Sequence, residues 1–176
     1  MPALLGQSIL DAWRTNERVM AFLVESLPPT LWTAGLPGAP RRTVQRVAAH
    51  VHNVRCRWVR TLGGPQGVTA PPLVDAARVG RRDLVPALRR SGRGIHELLV
   101  LGLERGGTIP TPSTYVWRNL PLDVGHVLAY FVAHEAHHRG QIVMAARALG
   151  HRLPPTVVNG LWQWTTRSRE TRRASR

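Results

Sequence analysis

Four stretches of the chain repeat apolar residues at the period of a helix. In residues 6–27, Ile9, Trp13, Met20, Leu23 or Val24, and Leu27 recur at that spacing, and Pro28-Pro29 stops the run. Residues 28–42 are turn-rich and read as a loop. Thr43 caps a second helix with the stripe Val44, Val47, Val51, Val54, Trp58 and Leu62, ended by Gly63-Gly64-Pro65. A Pro/Gly-rich connection over 64–80 leads to a third helix, 82–104, carried by Leu84, Leu88, Ile95, Leu98 or Leu99, and Leu103. Pro86 fits near its start, while Gly92 and Gly94 weaken its middle. Residues 105–121 form a long connection of the kind that often lines a site. Tyr115 and Trp117 there are candidates either for a pocket wall or for pins that hold the loop to the helices. Asp123 caps a fourth helix running to Gly150, and TVVNGLWQW follows as a short C-terminal helical segment. No strand alternation and no internal repeat stand out. The expected fold is all-α, a four-helix bundle with long connections: one domain over 1–165, then a basic, disordered tail over 166–176.

The fourth helix carries the chemistry. Its segment Tyr130 to Leu149, YFVAHEAHHRGQIVMAARAL, places His134, Glu135, His137, His138, Arg139 and Gln141 in an otherwise apolar run. At about 100° per residue, His138 falls about 20° from the centre of the buried stripe and His134 about 60°, with His137 turned about 120° away. Two imidazoles spaced i, i+4 thus project from the side the helix buries. Burying them without partners costs free energy, which a shared divalent ion or hydrogen bonds would offset. On the second helix, His50 and His52 flank the stripe on opposite sides, and periodicity leaves both open as a third ligand. Asn53 and Arg57 share the His50 side, and His96 reads as an ordinary flank residue.

Composition narrows the classes. The 176 residues suffice for one hydrophobic core, and no apolar run approaches a membrane span. The N-terminus lacks the pattern of a secretory signal, and the single Cys56 excludes an intrachain disulfide, so a cytoplasmic protein is expected. Cys56 reads as a small helix-packing residue. The net charge of +14 comes from 24 basic residues that are all Arg. Such a charge attracts polyanions, yet no nucleic-acid-reading motif is present, and the Arg cluster Arg167, Arg169, Arg172, Arg173 and Arg176 lies in the tail. No specific nucleic acid and no membrane are expected as partners.

AAHVHNVRCRW, followed some way downstream by HEAHHRGQI and then GLWQW, resembles the DinB/YfiT superfamily of metal-binding four-helix bundles, over essentially the whole chain to about Trp164. The resemblance implies that one His of the second helix and the pair of the last bundle helix bind a divalent metal, which here gives His50, His134 and His138. Zinc or nickel suits such ligands best, with iron or manganese as further options. Arg139 and Gln141 match the family's RGQ run as supporting or packing residues. The resemblance further implies homodimers and, in some branches, transferase or isomerase reactions on small molecules with a low-molecular-weight thiol as co-substrate. HEAHH also spells the H-E-x-x-H protease motif with Glu135 as general base. The further ligands such proteases need are missing, since Gln141 and Met144 stand where Gly and His would be.

The readings that follow are a thiol-dependent metalloenzyme, a metal-dependent hydrolase with Glu135 as its weakly placed base, and a non-enzymatic binding or stress-response protein with a structural metal. Three histidine ligands leave a coordination position open, as catalytic zinc sites do.

Overall fold

A computed structural model describes residues 2–113, 115, 116 and 119–174, so Trp117 lies outside the described residues. The chain runs α1 (Pro2–Ser26), α2 (Pro29–Trp32), β1 (Gly35–Leu36), β2 (Ala39–Thr43), α3 (Val44–Trp58), α4 (Arg81–Glu104), α5 (Val124–Ala148), α6 (Pro155–Gly160) and α7 (Trp164–Ala174). The four long helices are those the periodicity predicts. Their N-caps are also as expected: the Thr43 side chain accepts from the Arg46 backbone N–H, and that of Asp123 from His126. α3 does not end at once but loosens into a wider π-type turn over Val59–Gly63.

The helices form a ring in which α1 packs on α4 and α5, and α3 packs on the same two. Two apolar clusters fill it. One joins Met20 and Leu23 of α1, Val47 and Val51 of α3, Leu88 of α4 and Ile142 of α5. The other joins Trp13, Trp58, Ile95, Leu98 and Phe131. Burying each such side chain is worth about 1.5–3 kcal/mol. Between the clusters, every long helix contributes a buried polar residue: Asn16, Arg55, Ser91, Glu135 and Arg139. On α1, α3, α4 and α5 these residues fall in sequence between members of the two clusters.

Two segments differ from the sequence expectation. Residues 28–42 hold one helical turn and a two-stranded antiparallel hairpin rather than plain loop. Gly38, at φ 73°, makes its turn. Pro40 lies so close to Gly35 that a Cβ there would sit 2.5 Å from the Pro40 carbonyl oxygen. The short strands carry too few residues for alternation to show. The second correction concerns the tail. Residues 166–176 were expected to be disordered, but α7 extends to Ala174 and packs along α1. The Arg167 guanidinium lies 4.1 Å from the centre of the Phe22 ring, and Glu170 accepts from Arg18 Nε at 2.7 Å. Charge pairing and cation–π contact dock a segment whose composition alone reads as solvated.

The long connections are tied down by side chains. Asn53 of α3 both donates to the Val74 carbonyl (3.0 Å) and accepts from the Val74 N–H (2.9 Å), fixing the 64–80 segment along the helix. Tyr115 is buried beside Trp58, its hydroxyl donating to the Leu120 carbonyl at 3.1 Å. It pins the 105–121 connection. No helix among the described residues is long and apolar enough to cross a membrane.

Candidate metal centre

α3 and α5 pack side by side, and the contact brings three imidazoles together. One ring nitrogen from each of His50, His134 and His138 lies within 4.8 Å of the others. His138 is buried, His134 half-buried and His50 exposed, so the cluster opens to solvent on the His50 side. The Nε2 atoms of His134 and His138 are 3.1 Å apart. Two imidazole nitrogens on one tetrahedral ion, with bonds of about 2.0–2.1 Å, sit about 3.3 Å apart. The donor set therefore fits a divalent ion bound by imidazole.

Protonation fits as well. Burial, then the neighbouring His138, His50, His137 and Arg55, pushes the His134 pKa down to about 4. His138 is lowered chiefly by burial, and His50 by burial and then by Arg42 and Arg57. All three rings are neutral near pH 7, the form that ligates metal. Gln141 orients one of them. Its Oε1 lies 3.0 Å from His138 Nδ1 and can only accept, so Nδ1 carries the proton and Nε2 turns its lone pair to the cluster. The same oxygen accepts from Arg42 Nη2 at 3.1 Å, and the Gln141 amide donates to His137 Nε2 at 2.8 Å. His137 is thereby held outside the cluster. Tyr130 stacks on His134 at 5.9 Å between ring centres.

The other sequence candidates go elsewhere. His52 is fully buried, its Nε2 donating to the Pro72 carbonyl and its Nδ1 lying 3.0 Å from the Ser91 hydroxyl. It ties α3 to α4 and to the connection between them. Cys56 is buried beside His52, and burial raises its thiol pKa. Glu135 points into the bundle rather than at the histidines. Arg55 grips it in a two-pronged pair, Nε to Oε1 and Nη2 to Oε2, both 2.7 Å, and Asn16 donates to Oε2 at 2.9 Å. Burial opposes the Arg55 charge, but the Glu135 carboxylate outweighs it and raises the Arg55 pKa. Both Glu135 oxygens are thus occupied by Arg55 and Asn16 within the bundle. Arg139 donates to Asn16 and belongs to the same buried polar group.

A cleft of about 720 Å³ opens at His50, walled by Ala39, Pro40, Arg41, Arg42, Arg46 and Val47. The hairpin and the first turn of α3 form it, a contribution periodicity alone could not reveal. A separate cleft of about 500 Å³ lies between α1, α4 and α7 and includes His96. No curated protein and no solved structure matches the chain. A model of the DinB family matches residues 1–173 of it. With its helical bundle and a histidine cluster suited to a metal ion, the protein belongs to the DinB family.

Proposed function

We propose that this protein is a metalloenzyme of small molecules, of the thiol-dependent transferase or isomerase type, using a divalent ion held by His50, His134 and His138. The observation that carries the reading is three imidazoles, lowered in pKa by burial, that converge behind a cleft lined by His50. Zinc or nickel suits this ligand set best. Such an ion supplies an open coordination position and lowers the pKa of a thiol or water placed there. His134 and His138, one turn apart on α5, would supply two of the ligands. His50 would supply the third from α3, and Gln141 keeps the His138 lone pair aimed at the cluster. Hydrolysis would call for a general base beside the water, and the one carboxylate on this stretch of α5, Glu135, is committed to Arg55 and Asn16. Either a thiol or a water would depend on the ion's effect on its pKa, and the preference for thiol chemistry rests on the resemblance to thiol-dependent members of the family.

Elemental analysis of the purified protein tests the reading first. About one first-row metal per chain is expected in the wild type, lost in His50→Ala, His134→Ala and His138→Ala and kept in His52→Ala and His137→Ala. The metal-loaded protein should then accelerate reaction of a low-molecular-weight thiol with a model electrophile relative to the metal-free protein. Absence of metal even after reconstitution would make the protein a binding module on an enzyme's scaffold. Loss of metal in His52→Ala but not in His50→Ala would move the site along α3.

A further inference from the structure

The cleft at His50 is chemically one-sided. Three of the residues that wall it are arginines, Arg41, Arg42 and Arg46, and none is acidic. All three are exposed, and among the described residues none takes part in an ion pair. Elsewhere the protein does pair its arginines: Arg18 with Glu25 and Glu170, Arg55 with Glu135, Arg89 with Glu25, Arg167 with Glu170. Of the three at the cleft, Arg42 is also held by a side-chain neighbour. Arg41 and Arg42 lie on β2, which approaches β1 closely where Pro40 meets Gly35. Arg42 spends one N–H on Gln141, whose same oxygen supports His138. The remaining N–H groups of its guanidinium stay available beside the histidine cluster. β2 also runs directly into α3, so the positive end of that helix lies at the same rim.

We infer that Arg41, Arg42 and Arg46 form a receptor for an oxyanion, a carboxylate or phosphate group, carried by the small molecule that reacts at the histidine cluster. The planar guanidinium fork matches both groups through paired N–H donors. The cleft volume of about 720 Å³ is that of a small-molecule site. Substrate binding and orientation thus fall to the hairpin and the first turn of α3, and the chemistry to the three histidines. This inference rests on the proposed metalloenzyme reading for what the anion does, but not for its capture.

Calorimetric titration with succinate and with inorganic phosphate at low salt tests it, on metal-loaded and metal-free protein. The variants are Arg41→Gln/Arg46→Gln and, as a control of equal charge loss, Arg105→Gln/Arg152→Gln. The expected result is saturable binding that weakens about tenfold or more in the cleft variant and less than about twofold in the control. Metal content should stay unchanged in both. Equal weakening in the two variants would reduce the effect to the overall positive charge and overturn the receptor. So would the absence of binding in protein that carries its metal. Binding that survives in protein shown to take up no metal would keep the receptor while removing the metalloenzyme reading. A DNA duplex that displaces phosphate, and depends on the same arginines, would overturn the small-molecule assignment in favour of a polyanion surface.

Discussion

His138 stands between two partners that set its chemistry. Its Nε2 faces His134 Nε2 at 3.1 Å, and its Nδ1 faces Gln141 Oε1 at 3.0 Å. Removing the acceptor frees the ring to rotate and to change tautomer. Gln141→Ala should therefore weaken metal binding by about 10–100-fold while all three ligands remain. Competition against a chromophoric chelator would read this, and unaltered affinity would reduce Gln141 to a surface residue. His52 calls for the opposite result. His52→Ala should keep the metal but cost about 1–3 kcal/mol in urea unfolding, because the Pro72 carbonyl and Ser91 hydroxyl lose a buried partner. Helical periodicity could not separate His50 from His52, since both flank the apolar stripe of α3. The separation comes from Pro72 and Ser91, which meet His52 from sequence positions that periodicity does not connect. The i, i+4 pair on α5 was legible because both its members lie on one helix.

Elements are joined inside the bundle by the pair of Arg55 on α3 and Glu135 on α5, extended to α1 through Asn16. A buried pair adds little net stability when made, but breaking one leaves an uncompensated charge, at a cost of about 3–5 kcal/mol. Glu135→Ala should show a loss of that size in chemical denaturation, with metal stoichiometry retained in the folded fraction. A loss under about 1 kcal/mol would mean that water replaces the carboxylate at no cost. Loss of metal from well-folded Glu135→Ala would instead return Glu135 to the site. The placement of Glu135 on the inward side of α5 could be read from the sequence; its partner could not. Arg55 lies on another helix, and a mid-helix Arg is ordinarily a surface residue. Similarly, the long helices were legible from their apolar stripes, whereas α7 was not. Its contacts with Phe22 and Arg18 depend on charges that in isolation spell a solvated tail.

For the whole molecule, the consequence lies in acid. His50, His52, His96, His134 and His138 all have pKa values lowered by burial, so below about pH 6.5 the unfolded chain takes up protons that the fold resists. His134 gives the widest window. It titrates near 4 in the metal-free fold against 6.5 ordinarily. Between those values the unfolded state binds the extra proton, so stability rises with pH through the window and is lost as pH falls. Above about 6.5 the contribution is fully present, and below about 4 no further loss comes from this ring. The metal-free protein should accordingly lose urea resistance steadily from neutrality toward pH 4. Carboxylates begin to titrate at the lower end, so the informative quantity is the difference between wild type and His134→Gln, both stripped of metal. The variant should show the shallower decline, with the two curves diverging mainly between about pH 6.5 and 4. Parallel curves would mean that solvent reaches His134 freely and that the cluster is looser than its 3.1 Å contact implies. A bound metal adds a second slope. Because it competes with protons for the same nitrogens, the loaded protein should begin above the metal-free one and fall toward it as acid strips the ion. The pH at which the two curves merge then reports how tightly the three imidazoles hold the ion.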